Sequence, residues 1–212
     1  PDVIACLHDD VEIDERDWDD RVMETFQHHP TCGLTGFGGG KGLGASNIYK
    51  VARDPMQLAR TSFVSNMREA EAHGRRVRWG HERMACMDGF SQIGRVDYWQ
   101  GRTPTAVVAA ELGGTRYADP NLFARMERLG IIHHAYDAAL GCYAKRFGWE
   151  VWLTPVECHH LGGQTAVGDR GYAAWANAQV GDDNGDHVFW ERAHEIVHNE
   201  FKDVLPIAEV QG

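Results

Sequence analysis

Val3-Ile4-Ala5-Cys6-Leu7 is an uninterrupted apolar run that stops at His8-Asp9-Asp10. A run of this kind suits a strand covered on both faces, because a half-exposed strand would alternate. The period then changes. Trp18, Val22 and Phe26 recur every four positions, Asp14, Glu15 and Asp17 put negative charge where a helix N-terminus favours it, and Pro30 follows. This predicts a helix over 14–29. A second short strand is predicted over 32–35, running into Gly36-Phe37-Gly38-Gly39-Gly40-Lys41-Gly42-Leu43-Gly44. Asp54-Pro55 supplies an N-cap and first-turn pair for a helix ending at Gly74.

Further along, Met84-Ala85-Cys86-Met87 predicts a strand ending in Asp88-Gly89. Residues 91–116 favour no single state, although 105–112 are apolar enough for core. Asp119-Pro120 opens a helix with Leu122, Met126 and Leu129 on one face. Tyr136, Leu140, Ala144 and Phe147 mark another over 134–147, capped by Gly148. A strand over 151–156 leads to Glu157-Cys158-His159-His160, residues 162–185 read as loop, and a last helix covers 186–201. Helices alternating with short apolar strands predict an α/β fold. No repeat or linker divides residues 1–212, so one domain is expected. In open α/β sheets ligands sit off the carboxyl ends of strands. The clusters at His8-Asp9-Asp10, Asp88-Gly89 and His159-His160 are therefore expected to converge.

Composition narrows the partners. The 212 residues carry a formal net charge of −10, which argues against a nucleic-acid backbone but not against a phosphate ligand, since a bound metal supplies positive charge locally. No apolar run approaches a membrane span and no signal peptide opens the chain. The five cysteines are scattered, with no C-x-x-C pair, which fits reduced thiols in a cytoplasmic protein.

Five motifs are candidates for chemistry. Adjacent carboxylates in His8-Asp9-Asp10 repel each other unless a cation intervenes, and hard ions such as Mg²⁺ or Mn²⁺ take oxygen ligands; a solvated acidic turn is the plainer alternative. His159-His160 before Gly162-Gly163 reads either as a metal contact or as a surface turn. Asp137, in a helix's first turn, is placed to be ionised and to act as a general base if it faces the crevice. The glycine patch is no phosphate loop, because Gly42 follows Lys41 where Ser or Thr is needed. It reads as a flexible loop beside a ligand.

His194-Glu195-Ile196-Val197-His198 matches H-E-x-x-H, the helix signature of zinc hydrolases. Against it, the apolar face runs through Phe189, Ala193, Ile196 and Val197, which leaves His194 at its border and His198 on a solvated side. Charged Arg192 and Glu200 flank the motif, and little chain remains for a third ligand.

Taken in order, these clusters resemble the family 2 type glycosyltransferases with a GT-A fold. The stretches that carry the resemblance are Ile4-Ala5-Cys6-Leu7-His8-Asp9-Asp10-Val11, Gly33-Leu34-Thr35-Gly36-Phe37-Gly38-Gly39-Gly40, Met87-Asp88-Gly89-Phe90, His134-Ala135-Tyr136-Asp137 and Cys158-His159-His160-Leu161-Gly162-Gly163. The resemblance implies a GT-A-like, mostly parallel sheet flanked by helices. It implies an inverting glycosyltransferase that moves a sugar from a nucleotide-sugar donor to the hydroxyl of a glycan or other acceptor. It implies Asp10 and His160 as ligands of a Mn²⁺ or Mg²⁺ ion on the donor diphosphate, with His159 competing for that role. Asp9 would lie near the ribose or sugar, and His8 departs from the acidic residue usual at its position. Asp137 would be the base, and Asp88-Gly89 would line the sugar and acceptor pocket. Gly38, Gly39 and Tyr136 fall in the same stretches and are carried, together with His8 and His159, on the donor and substrate side. Family members place a nucleobase-binding half before the metal motif, and here only one strand precedes it. The fold is thus expected to be incomplete at its N-terminus, with the exposed surface covered by self-association or a partner chain. A zinc hydrolase built on His194, Glu195 and His198, and a non-catalytic GT-A-like binding module, are the alternatives.

Overall fold

The computed structural model describes residues 2–44, 60–65, 75–76, 79–104, 122–131, 134–160, 170–181 and 185–208. Strand β1 (Val3–Leu7) turns through His8–Asp10 into β2 (Val11–Ile13), and helix α1 (Trp18–His28) follows. Next come β3 (Cys32–Gly36), β4 (Gly38–Leu43), β5 (Arg60–Ser65) and β6 (Arg75–Arg76). Strands β7 (Glu82–Met84), β8 (Cys86–Met87) and β9 (Ser91–Arg95) lead into the short helix α2 (Val96–Trp99). Helices α3 (Leu122–Leu129) and α4 (Tyr136–Phe147) precede β10 (Glu150–Leu153) and β11 (Cys158–His160), and α5 (Arg170–Val180) and α6 (Gly185–Glu200) close the series.

The fold is α/β, as the alternating pattern predicts, but the main sheet is not mostly parallel. Its order is β1-β9-β3-β10-β7, and only β3 and β10 pair in parallel. Strands β1, β3 and β10 share one direction, and β9 and β7 run against them. The pattern misleads because β9 inserts between β1 and β3, which successive strand–helix–strand units would otherwise make neighbours. As an edge strand β1 is also covered less than its apolar run suggests, and Ile4 is 43% exposed.

The glycine patch is strand, not flexible loop. Strand β4 is paired on both sides, by β5 and β8, in the sheet β6-β5-β4-β8. A Cβ on Gly39 would overlap the Cys86 carbonyl, so glycine is there to let two backbones approach. The helix expected to end at Gly74 is overturned at Arg60–Ser65, which pairs along β4. Thr61, Phe63 and Val64 favour the extended state, and a ready strand partner settles it. The Asp54-Pro55 and Asp119-Pro120 signals and the apolar stretch 105–112 lie outside the described residues. The strand predicted at 84–87 breaks at Ala85 into β7 and β8, which serve different sheets. Residues 170–180 of the predicted loop are helical, and 161–169 and 182–184 lie outside the described residues.

Two apolar clusters hold these elements. Helix α4 is buried along most of its length by Ala138, Ala139, Leu140, Cys142, Tyr143 and Ala144, packed against Met84, Cys86, Val151, Val197 and Phe201. A helix apolar nearly all round belongs inside. Gly141 allows it to lie on the Ala85–Cys86 backbone. Helix α1 presents Val22 and Phe26 to Phe37, Phe90, Ile93 and Val156. Each such large side chain contributes about 1.5–3 kcal/mol on burial. A buried hydroxyl chain, Thr25–Thr154–Thr35, ties α1 to β3 at 2.7 and 2.9 Å. None of the five cysteines forms a disulfide, and burial pushes the thiols of Cys32 and Cys142 well above their ordinary pKa.

Candidate metal centre

Backbone pairing builds the site. His8 follows the last residue of β1, and its N–H donates to the Phe90 carbonyl at 3.0 Å. The Val11 N–H returns to the His8 carbonyl at 3.3 Å, which closes a tight turn over Asp9 and Asp10. The chain then runs back as β2 and pairs antiparallel with β11, with Val11 opposite His160 and Glu12 opposite His159. Asp10 precedes Val11, so this register sets it beside His160. Side chains alternate along a strand, which turns His159 to the other face.

Three potential ligand atoms, one each from His8, Asp10 and His160, lie within 4.8 Å of one another. His160 Nε2 is 3.3 Å from Asp10 Oδ1, and His8 Nδ1 is 3.9 Å from the same oxygen. Asp10 Oδ1 is buried and accepts no hydrogen bond. A carboxylate oxygen removed from water without a donor costs roughly 1–3 kcal/mol or more, so a cation at this point would offset a real penalty. The Phe90 ring stacks on His160, with centroids 4.9 Å apart and an interplanar angle of 20°. His8 meets His160 edge-on at 5.4 Å. The far side of His8 is engaged as well, because its Nε2 is 3.0 Å from the Tyr136 hydroxyl.

Tyr136 arrives by an unusual route. Helix α4 starts after Ala135, whose φ of 57° and ψ of 9° are left-handed, the only positive φ at a non-glycine residue among those described. Such a backbone costs about 1 kcal/mol or more and persists where the surroundings enforce it. Asp137 follows in the first turn and accepts the Ala138 N–H at 2.8 Å. His134, just before the turn, bonds Asp186 at the start of α6 at 2.8 Å.

The other expected residues fall into two groups. Asp88 and Gly89 form the turn between β8 and β9. The Asp88 N–H donates to the Gly38 carbonyl at 2.7 Å, and Asp88 Oδ1 accepts the Phe90 N–H at 3.4 Å. Gly89 lies against the Tyr136 ring. Asp9 is an exposed turn residue. Gly38 and Gly39 serve strand pairing within β4. The expectation for His8 changes most: it departs from the usual acidic residue, yet it supplies one of the three converging atoms. Phe90 and Ala135 fall in stretches that carry the resemblance but have no role assigned by it, because neither an apolar residue after Asp-Gly nor an alanine before a helix carries a signal in one sequence.

The zinc-signature residues do not form a comparable group. Among the described residues, His8, Asp10 and His160 are the only such cluster. His194 is not solvated at the border of its helix but 8% exposed, with its Nδ1–H donating to the Trp190 carbonyl at 2.7 Å. Glu195 points to solvent. No helix among the described residues is long and apolar enough to cross a membrane. Compared with protein-family models, with curated proteins and with solved structures, the chain finds no significant match.

Proposed function

We propose that the chain is an inverting, metal-dependent glycosyltransferase of GT-A type that takes a nucleotide-sugar donor. The observation that carries this reading is the convergence of His8, Asp10 and His160 around a buried Asp10 oxygen that accepts no hydrogen bond. The resemblance in sequence order supplies the reaction class. The donor set suits a divalent ion. Two imidazole nitrogens and one carboxylate favour Mn²⁺ over Mg²⁺, which prefers oxygen alone.

The ion, when bound, supplies Lewis-acid stabilisation of the departing nucleoside diphosphate. His8, Asp10 and His160 hold it, and Phe90 keeps the His160 ring in place. Asp137, beside Tyr136 at the start of α4, takes the proton from the acceptor hydroxyl. The acceptor oxygen bonds to the anomeric carbon as the bond from that carbon to the diphosphate oxygen breaks. Attack opposite the leaving group inverts the anomeric centre.

The test pairs binding with turnover on the full chain. Mn²⁺ binding is measured by electron paramagnetic resonance, and a panel of nucleoside diphosphate sugars is screened for release of the nucleoside diphosphate. Asp137→Asn is expected to lower turnover by about 10²- to 10⁴-fold with Mn²⁺ affinity intact. A chain that binds Mn²⁺ but neither binds nor turns over any of the donors would overturn the transferase reading in favour of a non-catalytic module.

A further inference from the structure

Tyr136 and Gly89 lie far apart in sequence, and both are carried by the resemblance only as substrate-side residues. Their contacts suggest another task. His8 places Nδ1 toward Asp10 Oδ1, at 3.9 Å, and Nε2 toward the Tyr136 hydroxyl, at 3.0 Å. An imidazole with one nitrogen on a cation carries its proton on the other, and that N–H needs an acceptor. Ligating histidines generally donate this second N–H to a fixed oxygen, which sets both tautomer and ring orientation.

We infer that Tyr136 is a positioning residue that fixes His8 as a metal ligand through its hydroxyl, and that Gly89 is glycine because any side chain there would displace that hydroxyl. This rests on the metal reading proposed above. Tyr136 Oη accepts the Nε2–H of His8, which leaves the Nδ1 lone pair directed at the site. A Cβ on Gly89 would overlap Tyr136 Oη and sit 2.9 Å from Cζ, so the ring could not keep its place. The left-handed Ala135 backbone sets the ring at the helix start, between the Gly89 turn and His8. Two separated motifs therefore meet at one hydroxyl, and their meeting explains the glycine without a ligand touching it.

The experiment uses the full chain with Mn²⁺ and Co²⁺ alone as probes. Tyr136→Phe keeps the ring and removes one oxygen, and Gly89→Ala displaces that oxygen while leaving Tyr136 in the sequence. Both are expected to weaken Mn²⁺ binding by about 10- to 100-fold. Both should also shift the visible absorption bands of the Co²⁺ form, which a merely structural role would leave unmoved. Melting of metal-free Tyr136→Phe should match the parent chain. If the parent chain binds Mn²⁺ and Tyr136→Phe has the same affinity and the same Co²⁺ spectrum, this inference falls and the metal site stands. If the parent chain binds neither ion, both fall together.

Discussion

Two regions of the molecule bring two histidines and a carboxylate close together, and they do it in opposite ways. On α6, His194, Glu195 and His198 are neighbours in sequence, and a match to a known motif follows from that spacing alone. At the end of β1, His8 and Asp10 meet His160 from the far end of the chain, because β2 pairs with β11 in one register. The local set has its motif but not its geometry. His194 is turned inward to the Trp190 carbonyl while Glu195 faces water. The distant set is not contiguous in sequence, since His160 lies far from His8 and Asp10, yet its potential ligand atoms converge within 4.8 Å. A spacing of four on a helix guarantees a shared face and nothing more. Metal binding asks for convergence and for an atom that lacks a partner. Asp10 Oδ1 meets the second condition inside a converged group. His198 Nδ1 is also buried without a hydrogen bond, but no such group surrounds it among the described residues.

The largest effect that would break this comparison is on ion affinity. Asp10→Ala removes the one carboxylate of the candidate site and should weaken Mn²⁺ binding about a thousandfold, or about 4 kcal/mol. His198→Ala should leave it unchanged within error. Calorimetric titration of both variants decides the matter. Reversed results would move the metal to α6 and reinstate the hydrolase.

A somewhat smaller effect separates ligand from packing on α6 itself. His194→Ala leaves a gap beside Trp190, whose ring centroid lies 4.2 Å away, and deletes the bond to its carbonyl. A loss of about 2–3 kcal/mol in unfolding free energy is expected, with Mn²⁺ affinity unaltered. Urea melts measure it. A variant as stable as the parent chain would mean that His194 is not held as described.

Gly39→Ala tests the glycines on the same logic. The new methyl would overlap the Cys86 carbonyl, a backbone atom that can move only with β8. Overpacking of this kind costs about 1–3 kcal/mol. If the cost fell instead on donor affinity with stability unchanged, Gly39 would be a ligand-facing residue after all.

Why some of this was legible in the sequence and some was not has a physical basis. The cores of α1 and α4 announce themselves through Val22 and Phe26, and through Leu140 and Ala144, because helix burial imposes a period on neighbouring residues. Strand direction has no such local signature. Nothing near Ser91–Arg95 states that this segment inserts between β1 and β3. The glycine strand, which has no strand propensity of its own, is likewise decided by its partners, and the leaning of Arg60–Ser65 toward the extended state is settled by pairing with it. In the candidate site, the resemblance points to Asp10, which lies in the converged group, whereas the choice between His159 and His160 depends on the register of β11 against β2. In sequence His8 is a departure from pattern. Its place as a candidate ligand shows only once the distance to Asp10 and the hydroxyl behind it are known.

A third histidine group gives the smallest effect and sharpens the contrast from the other side. His81 lies beside His29, with Nδ1 to Nε2 at 3.1 Å, and its ring centroid is 5.7 Å from that of His28. His29 in turn stacks on Trp152 at 3.6 Å. Partial burial, first, and then the neighbouring imidazoles push His81 below its ordinary pKa, with Glu24 opposing and Arg21 adding to the shift. His29 is lowered chiefly by burial, against the pull of Glu150. Here histidines crowd together, but among the described residues their ring nitrogens do not form a converged group, so the expected behaviour is titration and not metal binding. The unfolded chain protonates His29 and His81 near pH 6.5, and the folded chain does so only at lower pH. The unfolded state therefore binds more protons in that window, and stability falls as pH drops through it. Solvent screening of partly exposed rings keeps the effect small. Thermal melts at pH 7.5 and 5.5 should show a loss that His81→Gln reduces by on the order of 1–2 °C. An equal loss in the variant, or a Mn²⁺-dependent rise in its melting temperature that the parent chain lacks, would erase the distinction between clustered histidines and converging ligands.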